Sequence, residues 1–300
     1  MRDTVASLRH KIGSAKELES VVRTMKAMAA SNIGQYENAV HALDDYYRTV
    51  QLGLAACFRQ DKTPAAVSRA AQKTAAAIGV IVFGSDQGLV GQFNEIMVEF
   101  AEDTLEKLPG NKIVWAVGER MQSRLAEAGL QPVAGFTLPN SIKAITPLVG
   151  QILIEMEAQR EQGLIEQVYL FHHRPGTGSI YTPASQRLLP LDETWQRKLA
   201  GISWPTQNLP EVMNSRERTL RALVREYLFV TLFRACAESL ASENASRLAA
   251  MQRADKNIDE LLDDLNGTFH RLRQSGIDEE LFDVISGYEA LNESGFHKSF

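Results

Sequence analysis

The sequence predicts an α/β chain in which two long terminal helices pair antiparallel around an inserted domain of alternating strands and helices. Three observations carry this. All ten prolines lie between Pro64 and Pro210, and proline breaks or kinks a helix interior, so both ends can be long helices while the middle is punctuated. Each end carries a stripe of apolar residues at steps of three and four. The middle alternates apolar runs with helical stretches, separated by Gly and Pro. The implied divisions are 1–63 for an N-terminal coiled-coil helix, 64–210 for the inserted α/β domain, and 211–300 for a C-terminal coiled-coil helix and tail.

The N-terminal stripe runs Val5, Leu8, Ile12, Ala15, Leu18, Val22, Met25, Ala29, Ile33, Tyr36, Val40, Leu43, Tyr47, Val50 and Leu54. Alternation of three and four is the seam of a coiled coil. A helix over 3–58 would be about 80 Å long at 1.5 Å per residue. Gly13, Gly34 and Gly53 each weaken it by about 1 kcal/mol relative to Ala; they permit either close helix approach or local breaks.

In the middle, Ile78–Phe83 is a continuous apolar run, as in a strand buried on both faces. A Gly-rich turn follows, then a helix over 92–108, stopped by Pro109-Gly110. Strands at 112–117 and 132–136 flank a helix at 119–128; a helix at 146–161 and a strand at 166–171 follow, with a fifth strand at 185–189. His172-His173 is placed at the end of the fourth strand, on opposite faces and so unable to share a metal.

The C-terminal stripe is Leu248, Met251, Ala254, Ile258, Leu261, Leu265, Phe269 and Leu272, and 223–240 is apolar on most faces. Neither end can hide its stripe alone, so the two are expected to pair, with Val22, Met25, Tyr36 and Leu43 facing 240–272. One helix over 211–286 would reach about 110 Å. Asp255, Asp259, Glu260, Asp263 and Asp264 read as a solvated helix face, as does Arg247, so that Arg247→Ala is expected to leave the isolated fold nearly unchanged.

Composition excludes several functions. Acidic residues number 37 against 32 basic, for a net charge of −5, which argues against a general nucleic-acid binder. No apolar window reaches the length of a membrane span, and Met1–Gly13 lacks the apolar core of a signal peptide. Cys57 and Cys236 have no CxxC spacing, so neither a zinc site nor a disulfide framework is expected. The turn Gly84-Ser85-Asp86-Gln87-Gly88-Leu89-Val90-Gly91 has the spacing G-x-x-x-G-x-x-G. That is neither the dinucleotide pattern nor a phosphate loop closed by Gly-Lys-Ser/Thr. It reads as a tight turn with a polar docking surface; no cofactor, metal or catalytic residue is expected.

The ends and this turn resemble the gamma subunit of the F-type ATP synthase, the central rotary stalk. Near the start the resemblance rests on Leu8-Arg9, Ile12, Ser14, Lys16, Met25 and Ala29-Ala30-Ser31. The turn through Gln92-Phe93-Asn94 is similar to the family's S-[TD]-[RK]-G-L-C-G-x-[FL]-N, and Leu188-Leu189-Pro190-Leu191 to its LLPL strand end. The C-terminal segment carries Ala241-Ser242-Glu243, Arg247, Ala250-Met251, Arg273-Gln274, Ile277, Glu280-Leu281, Ile285 and Gly287 at the family's spacing. Asn32 stands where the family usually has Lys, Gln87 where it has a basic residue, Val90 for Cys, Asp278 for Thr, and Phe282 for a small polar residue. With the tail Tyr288–Phe300, Asn32, Gln87 and Val90 mark a divergent branch, such as an alternative sodium- or proton-coupled bacterial complex.

The resemblance implies an antiparallel coiled coil of long N- and C-terminal helices with an inserted Rossmann-like α/β domain. It implies a non-catalytic rotating subunit coupling ion flow through the membrane sector to ATP synthesis or hydrolysis. Partners would be the alpha and beta subunits of the catalytic head, the epsilon subunit and the membrane ion-carrying ring. One copy would serve each complex, peripheral at the cytoplasmic face of the bacterial plasma membrane. Met25, Arg247 and Gln274 would contact beta as rotor–stator residues, and Asp86, Gln87, Gly88 and Gly91 would form the docking turn. Two other readings of the residues are a coiled-coil scaffold that dimerises and a Rossmann-like nucleotide-dependent enzyme.

Overall fold

The computed structural model describes residues 4–59, 77–177, 179–208, 210 and 215–296. The boundary expected at 63/64, and residue 211 beyond the other boundary, lie outside the described residues. The elements are α1 (Val5–Arg59), β1 (Ala77–Phe83), α2 (Phe93–Glu106), β2 (Lys112–Val117), α3 (Glu119–Glu127), β3 (Pro132–Phe136), α4 (Ile142–Glu161), β4 (Ile165–Pro175), β5 (Tyr181–Leu189), α5 (Glu193–Ala200) and α6 (Arg216–Phe296). They divide into two compact units, Met1–Ala27 with Met251–Phe300, and Met28–Ala250. The two long helices contribute to both units.

The larger unit holds a five-stranded sheet of order β3-β2-β1-β4-β5. The first three pairings are parallel and β4–β5 is an antiparallel hairpin. Alternation along β1 sends Ile78, Val80 and Val82 to one face, where they pack with Met97, Ala101, Met121 and Leu125 of α2 and α3. Ile81 and Phe83 go to the other face, against α4 and the long helices through Ile145, Ile152, Leu54, Leu232 and Cys236. The continuous apolar run of β1 therefore reflects burial on both faces, as expected.

Within this unit α1 and α6 run antiparallel. Asn32 Nδ2 donates to Asn244 Oδ1 at 3.3 Å, Arg234 Nη1 to Asp44 Oδ1 at 3.0 Å, and Tyr46 OH to Glu226 Oε2 at 2.6 Å. This register corrects one expectation. Leu43 lies beside the part of α6 near Arg234, before Leu240 rather than within 240–272. It is half-buried against the core, so Leu43→Asp is expected to destabilise the isolated chain by about 1–2 kcal/mol, the carboxylate escaping partly to water. An unchanged urea midpoint would remove Leu43 from the seam.

The smaller unit pairs the start of α1 with the later part of α6, also antiparallel. Lys26 Nζ meets Asp255 Oδ2 at 2.5 Å and Arg23 Nε meets Asp255 Oδ1 at 3.5 Å, while the Arg9 guanidinium lies 5.9 Å from the Phe269 ring centre. Asp255 thus joins the helices instead of belonging to a purely solvated face. Leu18 and Leu261 point outward, 58% and 48% exposed, and the inward place on α6 goes to Leu262. The inward stripe of α6 therefore steps 258, 262, 265.

Other departures have local causes. α4 begins at Ile142, four residues before the expected start, and runs through Pro147. Burial of Ile145, Leu148, Val149 and Ile152 outweighs the one hydrogen bond that proline removes. β4 continues to Pro175 because β5 pairs with it from Val168 to Pro175, so the two histidines sit inside the strand rather than at its end. α5 was not expected; Asp192 caps it, accepting from Trp195 N at 2.8 Å. α1 is unbroken at its glycines, and close approach holds only at Gly53, where a Cβ would lie 3.1 Å from Leu223; at Gly13 and Gly34 no described atom comes within 4 Å.

Candidate functional site

The Gly84–Gly91 turn is held from beneath by buried polar groups. Ser85 N–H donates to Asn94 Oδ1 at 3.0 Å, Asn94 Nδ2 donates to Ser85 Oγ at 2.8 Å, and Ser85 Oγ donates to Gln87 O at 2.8 Å. Asp86 accepts from the backbone N–H of Glu119 at 3.0 Å and of Leu138 at 3.1 Å. Asp86 thus ties the turn to the start of α3 and to the segment after β3. Close approach requires glycine at two places. A Cβ on Gly84 would lie 2.4 Å from Met121 Cβ, and Gly118, at φ +116°, passes 2.6 Å from Ser85 O measured from the same idealised position.

Gln87, Gly88 and Gly91 are exposed on this turn. Between them Leu89 is 61% exposed and sits at φ +61°, an unfavourable conformation for a residue with a Cβ. The exposed side of the turn therefore carries an apolar tip. Leu89 was missing from the expected site; an apolar residue flanked by glycines just past a strand was the available signal.

The turn rests on α6. Ser246 Oγ donates to Val90 O at 2.5 Å. The next residue, Arg247, bonds through Nη2 to Glu243 Oε1, one helical turn earlier, at 2.6 Å, with side chains 14% and 6% exposed. Burial pushes the Glu243 carboxyl up from its ordinary value, Arg247 opposes this, and Asp86 adds to it. Arg247 is thus partnered within the chain, not spread on a solvated face, and its Nε is buried with no partner among the described groups. The structure brings Asp86, Gln87, Gly88, Gly91 and Arg247 into the larger unit. Met25, half-buried, and Gln274, exposed, belong to the smaller one. Met25 lies beside the α6 segment near Asp255, so Gln274 is about 30 Å further along that helix at 1.5 Å per residue.

Among the described residues, no group of three or more His, Cys, Asp or Glu could hold a metal ion, and no helix is long and apolar enough to cross a membrane.

A family model described as ATP synthase matches residues 4–291. The ATP synthase gamma chain of Moorella thermoacetica is 27% identical over 300 residues, covering 97% of this chain and 99% of the relative. The chain belongs to the ATP synthase gamma family. The gamma chain of Nitrosomonas europaea is 25% identical, covering 95% of this chain and 98% of its own length. In fold, the chain is similar to a subunit of the Euglena gracilis mitochondrial ATP synthase in its OSCP/F1/c-ring structure. The TM-score is 0.66 at 18% identity, with 97% of this chain and 95% of that one covered. Against the rotor structure of the same enzyme the TM-score is 0.61 at 17% identity, covering 91% and 98%. The α/β class, with paired terminal helices around an inserted sheet domain, is thereby that of the family's stalk structures.

The departures from the family pattern have visible settings. Asn32, in place of Lys, reaches Asn244 across the helix pair. Val90, in place of Cys, is buried beneath the turn, and Gln87 is exposed. Phe282, 69% exposed, and Asp278 lie on α6.

Proposed function

We propose that this chain is the rotating central stalk of an F-type ATP synthase, coupling ion flow through a membrane sector to ATP synthesis or hydrolysis in a catalytic head. The observation that supports this best is the antiparallel pairing of α1 and α6 around an inserted sheet domain, in a chain aligned with gamma chains along nearly its whole length. Its partners are alpha and beta subunits, an epsilon subunit and the ion-carrying ring. One copy serves each complex, peripheral at the cytoplasmic face of the bacterial plasma membrane. The division into helix (1–63), α/β domain (64–210) and helix with tail (211–300) is part of this reading.

Met25, Gln274 and Arg247 contact beta in this proposal. Gln274 is exposed and its amide can bond a partner's loop directly, whereas Arg247 offers only the part of its guanidinium that Glu243 leaves uncovered. Gln87, Gly88 and Gly91, with Leu89, form the docking tip, and Asp86 holds it. The stalk does no chemistry itself; it presents different faces to successive catalytic sites as it turns.

Co-expression with alpha and beta subunits, followed by mass measurement, tests the reading. A complex of one copy of this chain with three alpha and three beta subunits is expected, hydrolysing ATP while the chain alone neither binds nor hydrolyses it. A chain that dimerises and stays outside the complex favours a scaffold, and micromolar ATP binding by the chain alone favours an enzyme; either result overturns the proposal.

A further inference from the structure

Outside the contacts discussed so far, the larger unit contains one buried carboxylate with ionic partners from the sheet. Glu238 of α6 has a side chain 10% exposed; it accepts from Arg234 Nε at 2.8 Å, hydrogen-bonds His172 Nε2 at 2.9 Å, and forms an ion pair with Arg174, whose Nε lies 3.3 Å away. His172 and Arg174 belong to β4. Arg234, one turn before Glu238 on α6, reaches Asp44 of α1 at 3.0 Å. One cluster therefore ties a sheet strand to both long helices.

The packing around it explains what the charges add. A cleft of about 240 Å³ lies on one side, bordered by Tyr47, Gln186 and Thr231, and one of about 280 Å³ on the other, bordered by Glu37, Val40 and Ala241. Arg174 and Glu238 border both. At this level ion pairs bridge sheet and helices beside two gaps in the packing. Around Glu238 the buried residues Ala235, Ala237 and Ala241 of α6 are small, whereas the larger Leu228, Leu232 and Phe233 pack into the core nearer the start of the helix. Apolar burial is non-directional, so small faces resist separation better than they resist sliding. Charged hydrogen bonds are short and need alignment, and a sliding or twisting helix breaks them first. Fixing register is also the best-attested use of buried ionic groups.

We infer that the cluster of Asp44, His172, Arg174, Arg234 and Glu238 is the joint that carries rotational load between the sheet and the two long helices. These are positioning residues. The inference rests on the stalk reading, since a chain that does not rotate has no load to carry.

The test uses the assembled complex in sealed vesicles, with ATP hydrolysis and ATP-driven ion uptake measured together, with and without an opposing ion gradient. Glu238→Gln keeps the side-chain volume and removes the charge. Arg174→Gln and Asp44→Asn change half-exposed members and guard against a variant that fails to fold. Glu238→Gln and Arg174→Gln are expected to keep hydrolysis and uptake without a gradient but to lose uptake against one. Arg234→Lys, which keeps the charge, is expected to pump better under load than Arg234→Gln. Uptake per ATP equal to that of the unmodified complex under load, in both Glu238→Gln and Arg174→Gln, overturns the joint alone. So does a loss that only tracks the melting temperature and the amount of assembled complex. If the unmodified chain never enters the complex, the stalk reading fails, and the joint with it.

Discussion

Arg247→Ala is expected to destabilise the isolated chain by about 2–4 kcal/mol at pH 8, because it strands a buried carboxylate. The sequence alone suggests a negligible effect. In the structure, however, Glu243 is 5% exposed and Arg247 is its ionic partner. The cost is limited because Glu243 can take up a proton, which its surroundings already favour: burial raises its pKa, and Asp86 adds to the rise. A carboxyl whose pKa is raised in the folded state contributes stability below its unfolded value, and that contribution is lost as pH rises through the folded value. Removing Arg247 raises the folded value further, so the penalty grows from pH 5 to pH 8. Urea unfolding at both pH values measures it. Replacing both residues, with Glu243→Gln added, should recover much of the loss, since no charge is then left buried. Equal midpoints for Arg247→Ala and the unmodified chain at pH 8 would show that Glu243 does not depend on this partner.

The elements most legible in the sequence were those fixed by local chemistry. The absence of proline from both ends left α1 and α6 room to form, and the apolar run of β1 announced a strand covered on both sides. β2 and β3 fall at the expected residues, 112–117 and 132–136, because Gly and Pro bracket them. What depended on a distant partner was less legible. The last four residues of β4 look polar and become strand only because β5 pairs with them. Leu261 and Leu262 are equally apolar, and the partner helix, not composition, buries the second.

The site divides in the same way. The turn was visible from its glycines, but not the inward role of Asp86, which depends on amides 33 and 52 residues away. The Glu243–Arg247 pair did have a local signal, since an acid four residues before a base favours an ion pair on a helix. Its burial under the turn had none, because the turn lies more than 150 residues earlier in the chain. Glu238 was similarly hidden, because His172 and Arg174, which pair with it, stand on β4 more than 60 residues earlier.

His173 should make the chain lose stability in mild acid. Its ring is fully buried, 4.3 Å from the Phe93 ring centre and 4.5 Å from that of Tyr181, and its Nε2 bonds Phe93 O at 2.8 Å. Burial lowers its pKa from 6.5 to about 4; the bond to Phe93 O works against that shift, and neighbouring His172 adds to it. The unfolded chain therefore binds the proton more readily than the folded one between those values. The contribution of His173 is fully present above about pH 6.5, declines as pH falls, and is exhausted near pH 4, for a total of about 3 kcal/mol. His172, also lowered chiefly by burial, acts in the same direction, while the raised Glu243 partly offsets both. Glu238 is held below its ordinary value, because the bonds from His172 and Arg234 outweigh its burial, so its contribution is lost mainly below that window. His173→Gln separates the histidine from the rest: the amide can still donate to Phe93 O but cannot take up a proton. The variant will be weaker at pH 8, having lost the ring's packing against Phe93 and Tyr181, so the decisive quantity is slope rather than level. Urea unfolding free energies at half-unit steps from pH 4 to pH 7 should fall less steeply with acid in the variant than in the unmodified chain. Parallel slopes would mean that His173 is protonated in the fold as easily as in the unfolded chain, and that burial is not what holds it neutral.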